Sequence, residues 1–246
     1  MSVKAHGQLR RGQVVMTYGP GALIDLPAHS AIVGGLEYWP DPGKLDQIHE
    51  PRLEQKVKLM TGVAYPRLFA PPADDADPGE AVLGIRVWRF PEWFVVQENS
   101  AQEGAAGRAF GKSRRLVHRR NLEKGKFDGL PVVATRFVRA CPRGHVDDLD
   151  WYGYVHGMSD SCRRQLWLDE NGTSGDLADL TVRCECGKRR SLYEASQMES
   201  NLLGKCNGAR PWLGAKANEP CGVPSRLLIR TASNAYFQHV ISVLSL

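Results

Sequence analysis

The sequence predicts an α+β protein in two parts: a mixed N-terminal region over residues 1–130, then a cysteine-organised module over 131–246. Three observations carry this prediction. All six cysteines lie beyond residue 140. The apolar runs are short and punctuated by glycine and proline, as strands bounded by turns should be. One stretch, Leu45 to Leu59, instead alternates charged and apolar residues near helical spacing.

Taken in order, Arg10 to Leu26 reads as an extended segment, a tight turn at Gly19-Pro20-Gly21, and a second apolar segment. The glycines give that turn its dihedral freedom. No Gly-Lys-Ser/Thr follows, so it is not a phosphate-binding loop. Ala31 to Trp39 is another short apolar stretch, and Leu45 to Leu59 is the expected helix. Pro71 to Gly79, with three aspartates among its prolines, is an exposed acidic loop. Ala81–Arg89 and Glu92–Gln97 read as strands around Phe90-Pro91. Small polar residues then lead into a basic run. Pro131 to Ala140 is strand-like and delivers Cys141 at its end. Leu166–Leu168 and Leu180–Arg183 are further short strands, the second ending at Cys184. From Ala235 the chain grows more apolar and stops uncapped at Leu246, which suggests a fragment or a surface that another chain covers.

The chain is long enough for one large domain or two small ones. Its 42% apolar and 24% charged content is that of a soluble globular protein. Met1 to Gly12 is polar and basic without the apolar core of a secretory signal. No apolar run approaches the ~20 residues that span a bilayer. The expectation is therefore a cytoplasmic protein with no membrane partner. Its thiols stay reduced there, and the cysteines read as metal ligands before disulfides.

Cys184, Cys186, Cys206 and Cys221 are the expected metal set. Thiolates bind Zn²⁺ tetrahedrally, and a pair one or two residues apart supplies two corners from one tight turn. Strand ends feeding such turns are how zinc ribbons are built, so the module is expected to be zinc-ribbon-like. Four thiolates leave no open position, and such an ion would organise the fold without catalysing. The alternative is that these cysteines are small buried hydrophobes. Cys141, His145, His156 and Cys162 form a second candidate set, since imidazole and thiolate both bind zinc. Against that stands a histidine that only satisfies nearby backbone groups.

The net charge of +5 is unevenly placed. Arg108, Lys112, Arg114, Arg115, Arg119, Arg120, Lys124 and Lys126 are opposed within that run only by Glu123. Such a segment either contacts a polyanion, driven by counterion release from phosphates, or is a solvated loop. His145, Asp147, Asp148 and Asp150 cluster carboxylates beside a histidine. They could hold metal for phosphodiester hydrolysis, but aspartates there also suit the N-terminus of a helix running to His156.

Several stretches together resemble one family. They are Arg11-Gly12-Gln13 with Gly19-Pro20-Gly21-Ala22, then Arg136 to His145, Gly175 to Leu180, Arg190-Ser191-Leu192, Arg210 to Gly214 and Thr231 to Phe237. This combination resembles the DrmB family of the bacterial DISARM anti-phage system, from about residue 10 to the end. Members carry a zinc-associated domain of unknown function also found attached to certain helicases, and are considerably longer than this chain. The resemblance implies a non-enzymatic partner of the superfamily 2 helicase DrmA, the two engaging phage DNA together. It carries over no catalytic residue. The Cys184-Glu185-Cys186 spacing departs from the expected C-x₂-C. Two other readings stand beside this one: a metal-dependent nuclease built on the aspartate cluster, and a pure protein–protein scaffold.

Overall fold

The structure, a computed structural model, describes residues 7, 9–26, 29–72, 84–98, 112–157, 160–172, 174–197, 200–232 and 235–238. It is a mixed assembly of short helices and antiparallel sheets with a cysteine-rich cluster in its C-terminal half. The chain divides into two compact units. One takes the described residues of Met1–Trp88, Trp212–Gly214 and Ser233–Leu246; the other takes those of Arg89–Pro211 and Ala215–Ala232. The division expected after residue 130 falls inside a strand of the second unit.

The first unit begins with helix α1 (Arg11–Met16), where an extended segment was expected. The Gln13 side chain explains the difference. Its Oε1 accepts the Arg10 N–H at 3.0 Å, satisfying a donor that a helix start otherwise leaves bare. Val14 is thereby turned inward and buried. Gly21 then takes a left-handed φ of 85°, and β1 (Leu23–Leu26) pairs antiparallel with β2 (His29–Val33). Ile24, Ala31 and Val33 are buried around this pair. Next, β3 (Gln47–Ile48) precedes helix α2 (Pro51–Thr61) and pairs with β4 (Leu68–Phe69). The helix therefore starts later than Leu45, with proline at its first position, where a missing N–H costs nothing. Strand β5 (Val87–Arg89) flanks β2. The returning segment at Trp212 is bound by Gly35 N–H and Trp88 Nε1–H, both donating to the Trp212 carbonyl at 2.9 and 3.2 Å.

The second unit is built on a seven-stranded antiparallel sheet. Its strands are β6 (Trp93–Val96), β7 (Lys112–His118), β8 (Lys126–Phe127), β9 (Leu130–Ala134), β12 (Leu166–Glu170), β13 (Leu180–Cys184) and β14 (Arg189–Ser191). They lie in the order β14-β13-β12-β7-β6-β9-β8. The expected strand from Pro131 to Ala140 is two strands, β9 and β10 (Phe137–Ala140). The second joins β11 (Val146–Asp147) and β15 (Arg226–Ile229) in a separate sheet.

Period-two alternation sorts each strand into a buried and a wet face. Along β13, Leu180, Val182 and Cys184 are buried, while Thr181 and Arg183 are not. The register aligns Val95, Leu116, Leu166 and Cys184 in one cross-strand row. Helices α3 (Trp151–His156) and α4 (Leu192–Ser196) cover that face, burying Trp151, Tyr154, Val155 and Leu192. Each such large side chain contributes about 1.5–3 kcal/mol. Asp150 caps α3, its carboxylate accepting Gly153 N–H at 2.9 Å. Tyr154 O–H donates to the Ser191 carbonyl at 2.5 Å, pinning α3 to the end of β14. The C-terminal end of α3 and the end of β13 are thus both held in place.

Candidate metal centres

Among the described residues, two groups could hold a metal ion: Cys141, His145, Cys206 and Cys221, and His156, Cys162, Cys184 and Cys186. Within each, the ligand atoms all lie within 4.8 Å of one another. The same eight residues were singled out from the sequence, but the structure groups them differently. Cys184 and Cys186 sit with His156 and Cys162, while Cys206 and Cys221 sit with Cys141 and His145. Chain proximity misled the sequence grouping: Cys184 is on the core face of β13, which looks at α3 and not at the loop carrying Cys206.

The His145 group joins two turns. The hairpin between β10 and β11 carries Cys141 and His145, closed by Gly144 N–H to the Cys141 carbonyl and Cys141 N–H to the His145 carbonyl. Gly144 supplies the positive φ of 85° that this closure needs. The loop from 204 to 225 doubles back on itself, with Cys206 N–H donating to the Val223 carbonyl and Gly222 N–H to the Cys206 carbonyl. Asp147 ties the turns together, accepting from Arg139 at 2.6 Å and Asn207 at 2.9 Å. His145 is only 2% exposed. Its Nε2–H donates to Glu219 at 2.6 Å, and Arg210 also pairs with that carboxylate. Nδ1 is thereby left for the cluster, 3.3 Å from Cys141 Sγ.

The His156 group forms where α3 ends against the β13–β14 turn. His156 donates from Nδ1 to the Tyr152 carbonyl at 2.9 Å and presents Nε2 to Cys186 Sγ at 3.3 Å. The two histidines therefore offer opposite ring nitrogens, each fixed by what the other nitrogen bonds. Asp160 accepts Cys162 N–H and Lys188 Nζ–H, both at 2.7 Å, which holds the Cys162 loop to the turn. Cys184 is buried and Cys186 exposed.

The spacing fits zinc. Tetrahedral sulfurs about 2.3 Å from the ion stand roughly 3.8 Å apart. Cys141 and Cys221 sulfurs are 3.9 Å apart, and those of Cys162 and Cys184 are 3.8 Å apart. Each group also pairs a reluctant thiol with a ready one. Burial pushes Cys184 and Cys206 up to about 11. Backbone N–H groups of Lys188 and Val223 bring Cys186 and Cys221 down to about 7. A bound dication favours all four thiolates.

The sequence matches a family model described as a domain of unknown function, DUF8724, across residues 10–237. The chain belongs to this family. It is also similar to DISARM protein DrmB of Bacillus paralicheniformis, at 41% identity over 104 residues, covering 42% of this chain and 18% of that protein. The aligned part is thus under a fifth of the relative's length.

In this DUF8724 chain the described part of the basic run, residues 112–126, is not a free loop. Lys112, Arg114 and Arg115 lie in β7. Arg114 pairs with Glu170 at 2.7 Å, and Arg115 pairs with Glu98 and, at 2.7 Å, with Asp128. Arg119 reaches Glu92 at 3.2 Å. Lys112, Arg119, Arg120, Lys124 and Lys126 are exposed; Arg108 lies outside the described residues. The aspartate cluster is spread over structural tasks. Asp147 joins the two turns, Asp148 is half-buried and accepts Glu92 N–H at 2.9 Å, and Asp150 caps α3. Glu219 was missed from the sequence, where no motif marks it; only the folded 204–225 loop carries it to His145. Among the described residues, no helix is long and apolar enough to cross a membrane.

Proposed function

We propose that this chain is a zinc-organised, non-catalytic accessory module of a DISARM-type anti-phage assembly. It docks on a DrmA-like superfamily 2 helicase and lends basic surface to the path of phage DNA. The observation that carries the metal part is the pair of four-ligand groups with sulfurs at tetrahedral spacing. Each group fills all four positions from protein, which suits an ion that fixes the fold and leaves no place for a reacting water. In one, the ion would tie the β10–β11 hairpin to the 204–225 loop; in the other, it would tie α3 to the β13–β14 turn. The similarity to DISARM protein DrmB supports the assembly; the helicase partner is what the family resemblance of the sequence implies.

The DNA contact is assigned to Lys112, Arg119, Arg120, Lys124 and Lys126, the exposed members of the basic run. Arg114 and Arg115 are half-buried against carboxylates and would have to exchange partners to reach a phosphate; Arg119, though exposed, would have to give up Glu92. Nothing favours the nuclease reading, since Asp147, Asp148 and Asp150 are each engaged within the fold.

The deciding experiment reconstitutes the chain with its helicase partner and measures DNA affinity across salt concentrations. Replacing Arg119, Arg120, Lys124 and Lys126 by glutamine should weaken binding. It should also flatten the salt dependence, by close to one power of salt per lost phosphate contact. Unchanged affinity and slope would leave a protein–protein scaffold as the better reading. Magnesium-dependent cleavage of DNA by the chain, lost on Asp148→Ala, would revive the nuclease.

A further inference from the structure

The two metal groups differ in burial, in what supports their histidine, and in how much chain they enclose. In the His145 group, Cys141, His145 and Cys206 are buried and only Cys221 is half-buried. Its histidine leans on a carboxylate, Glu219, itself held by Arg210. In the His156 group only Cys184 is buried, His156 and Cys162 are half-buried, and Cys186 is exposed. Its histidine leans on a backbone carbonyl.

We infer that the His156 group is an exchangeable zinc site and the His145 group a permanent one. This rests on reading both groups as zinc sites. Zinc leaves a closed thiolate shell most readily when an incoming ligand attacks while the old ones are still bound, so the rate follows access to the ion and its ligands. Cys186 is exposed, with His156 and Cys162 only half-buried beside it, and this gives that access. The ligands of the other group are enclosed by the hairpin and the doubled-back loop. A carboxylate behind a ligating histidine also raises its basicity and holds its ring, and losing such a partner typically costs 10–100-fold in metal affinity.

Topology points the same way. His156 and Cys186 are 30 positions apart, whereas Cys141 and Cys221 are 80 apart. The His156 group is nested inside the stretch that the other group closes, so it can open and reform without releasing the longer closure. The corner it holds, α3 against the β13–β14 turn, would then respond to zinc availability while the 141–221 closure persists.

The test uses the full chain with zinc bound, under native conditions. A chromogenic chelator, 4-(2-pyridylazo)resorcinol, reports release over time, and native mass spectrometry counts the ions that remain. The expected result is two phases of one ion each, the first at least tenfold faster, with a one-zinc species between them. Hydrogen exchange on that species should show lost protection at 151–157, 160–165 and 184–192, with 137–147 and 204–225 still protected. Release of both ions in one phase would overturn the inference, as would a first phase that opens 204–225. A purified chain with no zinc would instead overturn the metal reading beneath it.

Discussion

Glu219 shows how one unmarked side chain can set the behaviour of a site. Its carboxylate orients His145, and its pKa is in turn lowered by Arg210 first and His145 second. Glu219→Gln should lower zinc affinity of the His145 group by about 10–100-fold, measured by competition with a calibrated chelator, while leaving the other ion in place. Asp148 gives a second prediction. Burial raises its pKa to about 7, helped by Asp147 and Glu92. An acid whose folded pKa exceeds its unfolded one binds more protons when folded between those values. Its contribution to stability therefore falls as pH rises from about 4 to 7. The stability difference between Asp148→Asn and the parent should accordingly move in favour of asparagine across that window, by a few kcal/mol at most. Denaturant titrations of both proteins at pH 5 and pH 8 check it, since groups common to both cancel.

At the scale of elements, the turns that carry ligands depend on backbone that only glycine adopts freely. Gly208 has φ +76°, and a Cβ built there would lie 1.6 Å from the Glu219 carbonyl oxygen. Left-handed strain alone costs roughly 1–3 kcal/mol, and the clash would displace the strand of the loop that bears Glu219. Gly208→Ala should therefore lose the His145-group ion along with its midpoint of thermal unfolding. Gly62→Ala, with a similar φ of +73° but open space around it, should show the strain alone and keep both ions. The core under the His156 group is a separate matter. Trp151 is 1% exposed beneath the sheet, and Trp151→Ala should cost about 3–5 kcal/mol, read from denaturant unfolding.

For the whole molecule, every candidate ligand belongs to the second unit, and the first has its own apolar cluster at Ala22, Ile24, Ala31 and Val33. Stripping zinc with a strong chelator should expose amides of β10, β11 and the 204–225 loop to hydrogen exchange while β1 and β2 keep theirs. Equal loss in both units would show that the metals hold the chain as one cooperative block. Net charge also has to be read at this scale. The +5 excess concentrates in one run, yet that run loses much of its field to Glu170, Glu98, Asp128 and Glu92, which arrive from other parts of the chain.

By itself the sequence determined the chemistry on offer: which residues could be ligands, that they concentrate after residue 140, that one strand leads into Cys141 and another ends at Cys184, and that the aspartates before Trp151 suit a helix start. These are local properties, set by residue type and spacing along the chain. Only the tertiary structure decided which candidate ligands come together, which arginines are already paired, and that α1 is helical where an extended segment was expected. A four-ligand group is a statement about distance in space, and residues 30 to 80 positions apart reach it only after the sheet order and the α3 packing are fixed. The cysteines nearest in sequence, Cys184 and Cys186, did stay together, because one tight turn suffices for two corners of a tetrahedron. The other two corners came from α3 and the loop after it, since the alternation along β13 points Cys184 into the core they cover.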